Sequence, residues 1–315
     1  MRESTKEIFE KHEIRKTGKQ KAAFRKFIGE KAEALGYSSH VESGSFGARN
    51  VVVGDPDGAR VVFGAHYDTC PRLFMPNFIT PKNILVYILY QILLAVVVVA
   101  IPIIALRIII ELAAPLVGIV GDNLFLIKHF ASLLWCIVAV YLLMAGPANK
   151  HTAHDNTSGV TTLVSIMEDI PEEMRSSVAF VFFDLEEVGL IGSSSFAGRH
   201  KAVMKDKLLV NFDCVSDGEN IIFALRHGAR EYEGVIREAY KPEGGFKVEV
   251  LSRGVIYPSD QASFKKGVGV AALKRGKFDI LYMDRIHTAR DTVFMEENIE
   301  FLARGSIELT RLLMD

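Results

Sequence analysis

The chain predicts an α/β fold: three layers, α/β/α, around a central mixed, mostly parallel sheet, interrupted by a transmembrane α-helical hairpin. Three observations predict it. Strand-like and helix-like patterns alternate along most of the chain. Several strand-like runs, such as Val178-Ala179-Phe180-Val181-Phe182-Phe183, are apolar at every position, as central strands covered on both faces should be. Between about Asn83 and Gly146 the composition changes abruptly to long uncharged apolar runs.

The first helical pattern runs from Thr5 to Leu35 and stops at Gly36. Within it Arg15, Lys16, Lys19, Lys21, Arg25 and Lys26 alternate with Ala22, Ala23, Phe24 and Phe27, which predicts the solvated face of an amphipathic helix. Strands are expected at Asn50 to Val53 and Arg60 to Ala65, then, after the apolar stretch, at Ser177 to Asp184 and Lys207 to Phe212. Ile221 to Leu225, Lys247 to Leu251 and Val268 to Leu273 complete the set. Further helices are expected over Ser158 to Asp169, Ser193 to Met204, Arg230 to Tyr240 and Glu296 to Met314, the first of these ended by Pro171.

The apolar stretch has two candidate spans. Ile84 to Leu106 is 23 residues without a charge, enough to cross a bilayer core as a helix, with Pro102 placed to kink it. Phe130 to Ala145 is uncharged for 16 residues and becomes long enough if Leu124 to His129 joins it, with Lys128 and His129 snorkelling. Between them Ile108 to Val120 is broken by Glu111, Pro115 and Gly118, as a re-entrant or interfacial turn would be. The competing reading is a buried helical hairpin or dimerisation arm of a soluble protein. Two long uncharged runs speak against it.

With 315 residues the chain holds one large domain, or one domain with a sizeable insertion. A net charge of −1 gives no reason to expect nucleic acid as a partner. Cys70, Cys136 and Cys214 are odd in number, far apart and without a CxxC pair, so neither a disulfide framework nor a thiolate zinc site is expected. Cys70 and Cys214 read as small packing residues. The charge-rich first thirty residues lack an apolar run, so no cleavable secretory signal is expected, and the catalytic part is placed on the cytosolic side.

Five segments carry the chemistry, each at a predicted strand end or loop: Gly64 to Thr69, Ala153 to Gly159, Asp184 to Gly189, Asn211 to Asp213 and Ile286 to Thr292. Acids recurring at strand ends are hard to explain by packing, because buried carboxylates are costly without a cation. A pair of zinc ions would supply it, and His66, Asp155, Glu187, Asp213 and His287 offer two imidazoles and three carboxylates. Asp68, two residues after His66, is placed to orient that imidazole. Glu186 is left over beside a ligand, which suits a general base. Adjacent strand residues point to opposite faces, so Glu186 and Glu187 can share one site only if the chain leaves strand geometry there, as Gly189 and Gly192 allow.

The ordered combination of His66-Tyr67-Asp68, Asp155-Asn156-Thr157-Ser158-Gly159, Glu186-Glu187-Val188-Gly189-Leu190-Ile191-Gly192-Ser193 and His287-Thr288-x-x-Asp291-Thr292 resembles the co-catalytic zinc aminopeptidase family. That family also contains glutamate carboxypeptidase-like and glutaminyl cyclase-like enzymes. The resemblance covers about residues 5 to 75 and 148 to 314. It implies two zinc ions, with His66 and Glu187 on one, Asp213 and His287 on the other and Asp155 between them. Glu186 becomes the base, and Asp68 the orienter. Two departures stand out: His154 where relatives often carry an acid or Asn, and Ser259-Asp260-Gln261 where they tend to have Ser-Asp-His. Tyr257 and Asp260 are candidate substrate-pocket residues.

The expected organisation is therefore a catalytic unit of residues 1–75 plus 148–315 around a membrane insertion at 76–147. Both flanks of the insertion carry residues of one site, so the crossings must be even in number, and two fit. Arg72, Lys82 and Lys150 on the catalytic side favour a cytosolic catalytic unit. The expected activity is a membrane-anchored aminopeptidase acting on peptides, including apolar or lipidated ones. The alternatives are an amidohydrolase of N-acyl or lipidated amino acids, a carboxypeptidase or glutaminyl cyclase-type enzyme, and, most remotely, a non-catalytic membrane scaffold.

Overall fold

The computed structural model describes residues 1–243 and 245–315. The expected first helix is two helices, α1 (Glu3–His12) and α2 (Gly18–Ala34). A capping box starts α2: Thr17 Oγ1 accepts from the Gln20 amide at 3.3 Å, and Gln20 Oε1 accepts from the Thr17 amide at 2.9 Å. The break lets Arg15 turn inward, where it is fully buried. Its guanidinium donates to the Tyr67 carbonyl at 2.5 Å and to Thr157 Oγ1 at 3.2 Å. Lys21 is also buried, 2.5 Å from Asp184. The expectation of a solvated basic face thus fails for Arg15 and Lys21 and holds for exposed Lys19 and Lys26.

Nine strands form the sheet among the described residues. They are β1 (Ser39–Ser43), β2 (Arg49–Gly54), β3 (Val61–His66), β4 (Val178–Phe183), β5 (Leu208–Phe212), β6 (Asn220–Leu225), β7 (Lys247–Leu251), β8 (Gly267–Arg275) and β9 (Leu281–Tyr282). The order is β1-β2-β4-β3-β5-β8-β6-β7, with β9 beside β8. The central β4, β3, β5 and β8 run parallel, whereas β1, β2, β6 and β9 join by antiparallel pairings. The mixed sheet is therefore parallel where it positions the site: β3, β4 and β5 all end on one edge. Alternation sorts its residues. Phe63 and Val210 face one apolar cluster, and Val62 and Leu209 the other.

β3 and β4 are neighbours in the sheet but are separated in sequence by two long apolar helices. The first runs through Ile84–Val117, comprising α3 (Ile84–Ala95), a wider turn at Val96–Ala100 and α4 (Ile101–Ala113). The second is α5 (Asp122–Ala145). Both are long and apolar enough to cross a membrane, and only 6% of each apolar window is buried, which excludes a core hairpin within this chain. Pro102 has no N–H to give the Val98 carbonyl, four residues earlier. Trp135 Nε1, from α5, donates to that carbonyl at 3.1 Å instead, so the indole supplies the missing donor across the hairpin. Lys128 and Glu111 pair near its far end.

Behind the sheet, α6 (Ser158–Asp169) and α10 (Glu296–Met314) pack with α1 and α2 on the larger cluster. On the other face, α7 (Ile191–Arg199) and the one-turn α8 (Lys201–Met204) bury Phe196 and Met204. The short α9 (Glu233–Ala239) lies with α10. These are the helix layers that the alternating pattern predicts, with the expected helix over Ser193 to Met204 interrupted at His200.

Candidate metal centre

The five motif segments converge at the carboxyl edge of the parallel strands. His66 is the last residue of β3, Glu186 and Glu187 lie in the turn after β4, and Asp213 follows β5. Asp155 sits in the irregular turn Ala153–Thr157 before α6, and His287 in the loop after β9. The chain does leave strand geometry at the paired glutamates: Leu185 has φ 56°, and the Gly189 and Leu190 amides close the turn on the Glu186 carbonyl at 2.9 Å. Cys214 and His287 also take left-handed φ values, 57° and 63°. Three strained non-glycine residues at or beside candidate site residues fit a site whose surroundings hold it in place.

The Asp-Asn-Thr-Ser-Gly motif explains itself residue by residue. Asn156 Nδ2 donates to the His66 and Phe212 carbonyls, and its Oδ1 accepts from the Gly159 and Cys214 amides. One side chain thereby ties the ends of β3 and β5 to α6. Thr157 receives Arg15, and Ser158 Oγ bridges the His154 carbonyl and the Val215 amide. Gly159 must be glycine because a Cβ would stand 2.2 Å from the Phe212 carbonyl oxygen. Asp291 accepts from the His154 and Asp155 amides at 2.7 and 3.1 Å, which fixes the bridging turn. Sequence reasoning missed these roles, although Asn156 lies within a motif it singled out and Arg15 within the basic pattern it read as solvated.

Asp155 is the centre of the geometry. Its Oδ1 lies 3.3 Å from His66 Nε2 and its Oδ2 3.2 Å from His287 Nε2. His66 Nε2 is also 3.4 Å from Asp213 Oδ1, and His287 Nε2 is 3.4 Å from Glu187 Oε2. The shortest contacts group His66 with Asp213 and His287 with Glu187, while His66 also has a donor atom within 4.8 Å of those of Glu186 and Glu187, the partnership with Glu187 that the resemblance implies. The reason for the grouping is topological. β3 and β5 are hydrogen-bonded neighbours, so His66 and Asp213 emerge side by side, while the turn after β4 carries Glu187 toward the His287 loop.

The residues fit metal ions. Bonds of ~2.0–2.2 Å to a tetrahedral ion put neighbouring donors about 3.3–3.6 Å apart, close to the separations in both groups. Among the described residues no lysine or arginine pairs with Asp155, Glu187 or Asp213, whose ion-pair partners are the two histidines. Glu187 Oε1 and His287 Nδ1 are buried without a partner. Burial, and then the neighbouring carboxylates, push the Glu186 and Glu187 acids well above the usual range. Burial opposes a proton on His66, but Glu186, Asp155 and Asp213 outweigh it and raise that imidazole well above its ordinary value. Such crowding of negative charge is relieved by cations.

Asp68 does more than orient an imidazole. Its carboxylate accepts from the Glu186 and Glu187 amides at 3.0 and 3.3 Å, while His66 Nδ1 stands 3.5 Å away. A cavity of about 190 Å³ opens on the cluster, lined by Glu186, Asn77, Ile79, Tyr257, Pro258 and Ile286 among others. Tyr257 thus reaches the cavity wall, with its hydroxyl donating to the Asp213 carbonyl at 2.8 Å. Asp260 is fully buried and is not among the residues that line this cavity. His154 Nδ1 accepts from the Ser216 and Asp217 amides, which engages it structurally, and burial lowers its pKa to about 4. Cys70, expected only to pack, has a donor atom within 4.8 Å of those of Asp155, Glu187 and His287.

Comparison with known proteins bears on the fold and the family. No curated protein matches the sequence. Among the solved structures that share the fold are the LapA aminopeptidase of Legionella pneumophila, and a glutaminyl cyclase bound to N-acetylhistamine and a leucine aminopeptidase precursor, both from Bacteroides thetaiotaomicron. LapA is 13% identical, with TM-score 0.54 over 98% of this chain and 69% of its own. The cyclase is 16% identical, with TM-score 0.57 over 97% and 94%, and the precursor 15%, with TM-score 0.56 over 97% and 93%. At such identities the likeness carries the fold alone. The family model for Peptidase family M28, however, matches residues 125–305, more than half of the sequence, and the chain belongs to that family.

Proposed function

We propose that this chain is a membrane-anchored, zinc-dependent exopeptidase, an aminopeptidase that removes amino-terminal residues from peptides. The observation that supports it best is Asp155, with one carboxylate oxygen directed to each of two His–carboxylate pairs. His66, Asp155 and Asp213 would hold one ion, and His287, Asp155 and Glu187 the other. When bound, the pair supplies Lewis acidity that acidifies water and polarises a carbonyl. Glu186 lines the cavity without being needed as a ligand, and burial with its acidic neighbours raises its proton affinity, the direction a base requires. Its carboxylate takes the proton of the attacking water and returns it to the leaving amine. Asp68 keeps Glu186 in place through the amide hydrogen bond.

The cavity favours the end of a chain over its middle. Its 190 Å³ lies below the ~300–1,000 Å³ of drug-sized pockets, a size that suits a small terminal group. Residues 1–75 and 148–315 would form the catalytic unit and 76–147 the insertion, crossing the bilayer twice with the catalytic unit on the cytosolic side. Arg72, Lys82 and Lys150 at the hairpin's roots support that orientation. Substrates would then be peptides near the bilayer surface, including apolar or lipidated ones.

The test is mass spectrometry of a defined peptide mixture incubated with detergent-purified, zinc-loaded protein and with its Glu186→Gln variant. The expected result is stepwise loss of amino-terminal residues by the parent, with turnover lower by about 10²–10⁴-fold in a variant that keeps its metal. Equal trimming by the metal-replete variant overturns the role of Glu186. If free termini stay intact while acylated amino acids are cleaved, the aminopeptidase assignment falls and the amidohydrolase takes its place.

A further inference from the structure

A second cavity, of about 640 Å³, lies between the roots of the hairpin and the loop that carries His287. Arg72, Phe74 and Pro76 line it from the segment before α3, Pro147 from the residue pair after α5, and Thr288 and Arg290 from the loop. The two roots are held together there: the Arg72 amide donates to the Pro147 carbonyl at 2.8 Å, and Pro71 bridges to Ala148. Tyr90 Oη, on the second turn of α3, donates to the Pro76 carbonyl at 2.7 Å and lies within electrostatic reach of Arg290. The cavity therefore flanks the first turns of the apolar helix.

Its chemistry is that of an anion site with an apolar side. Among the described residues neither Arg72 nor Arg290 forms an ion pair, and the acids around them are engaged elsewhere. Asp284 pairs with Lys274, Asp217 with Arg285, and Asp291 takes the His154 and Asp155 amides. Among the described residues the Arg290 guanidinium donates to the Asp284 carbonyl alone, at 2.8 Å. Lys16 reaches the Met144 carbonyl at the end of α5 and adds a third cation to the same end of the hairpin. Phe74 is 72% exposed, an apolar ring that water does not favour and an acyl chain does.

The position selects the occupant. The continuous Ile84–Val117 helix has 34 residues, about 51 Å at ~1.5 Å per residue, well beyond a hydrocarbon core of about 30 Å. Ile84 to Leu106, its uncharged part, takes up about 34 Å of that length, so α3 starts at the interface, and the cavity, lined by residues before α3 and after α5, lies at headgroup depth. We propose that this cavity binds the headgroup of an anionic phospholipid, its phosphate between Arg72 and Arg290 and its acyl chains along Phe74 and the exposed faces of α3 and α5. The site rests on the reading of the hairpin as membrane-inserted. It would place a lipid beside the loop of a candidate metal ligand, since Thr288 and Arg290 follow His287 directly.

The experiment uses the full chain purified in detergent and native mass spectrometry with phosphatidylglycerol and phosphatidylcholine of matched acyl chains. Wild type, Arg72→Gln/Arg290→Gln and the control Lys82→Gln are compared; Lys82 lies at the same root but pairs with Glu249. Expected is a preference of about tenfold for phosphatidylglycerol in wild type and control, lost in the double variant. Equal retention of both lipids by wild type overturns the site without reliance on any variant, and so does a preference that survives the double substitution. Displacement of phosphatidylglycerol by millimolar inorganic phosphate overturns the lipid assignment in favour of a free anion. Release of the wild-type chain from membranes by alkaline carbonate would sink the inserted hairpin itself. A carbonate-resistant chain without lipid preference sinks only the lipid site.

Discussion

The Leu73 amide donates to the His287 carbonyl at 2.7 Å, joining the root of the apolar hairpin to a candidate metal ligand. The connection continues: the Asn77 amide donates to Ile286, and Ile79 exchanges hydrogen bonds with Met283. The segment from Leu73 to Ile79 is thus a strap laid along the His287 loop, and Asn77 and Ile79 also line the candidate site. His287 has left-handed φ, a conformation that persists only where the surroundings impose it. Replacing Asn83 to Gly146 by a short Gly/Ser loop should therefore loosen this half of the site. We expect affinity for one of the two ions to fall by about tenfold or more while the other is held as before. Chelator competition measures both, and parental affinity for both ions would show that the hairpin does not support the His287 loop.

Much of this arrangement was legible in the sequence. The central strands declared themselves as continuous apolar runs, and the hairpin by composition. The motif histidines and carboxylates fell at strand ends. What was not legible has physical causes. β1, Ser-His-Val-Glu-Ser, is a polar edge strand paired only with β2, so no apolar pattern marks it. The break between α1 and α2 is hidden because Arg15 and Lys21 look like surface cations until tertiary partners are known. Which carboxylate joins which histidine depends on strand order, which a linear reading does not contain. The partnership of Pro102 and Trp135 likewise exists only across the hairpin.

Asp68→Asn separates two roles that the sequence merged into one. An amide side chain keeps one carbonyl oxygen but loses an acceptor for the Glu186 and Glu187 amides, which Asp68 now holds at 3.0 and 3.3 Å. Supporting residues of this kind change metal affinity by about 10–100-fold. The expected result is weaker zinc binding together with lower turnover at saturating zinc, because the base and a ligand share the turn. Unchanged turnover at saturating zinc would confine Asp68 to the orientation of His66.

Arg15→Met probes the junction between α1, α2 and the site. The guanidinium is fully buried, burial lowers its pKa to about 10, and it remains charged at neutral pH. It donates to the His12 and Tyr67 carbonyls and to Thr157 Oγ1. Methionine fills part of the space but strands these acceptors, so a loss of about 2–4 kcal/mol is expected. Thermal and denaturant midpoints in detergent report it. A shift within experimental error would mean that water replaces the guanidinium without cost.

Asp260 gives a pH signature in the metal-free protein. Its carboxyl is fully buried, and burial in the first place, with the carboxylates of Asp68 and Asp213 adding to it against the opposing pull of His66 and Ser193, raises its pKa from 3.8 to about 7. An acid with a raised folded pKa keeps a proton that the unfolded chain releases. The contribution to stability is therefore complete below about 3.8 and is lost as pH rises toward about 7, levelling off above it. Asp260→Asn removes that titration. After chelation of metal, the stability of wild type relative to this variant should fall steadily between about pH 4 and pH 7 and then stay constant. Parallel pH profiles for the two proteins would show that Asp260 ionises as easily in the fold as outside it. A difference that grows in the opposite sense would place a cationic partner beside it.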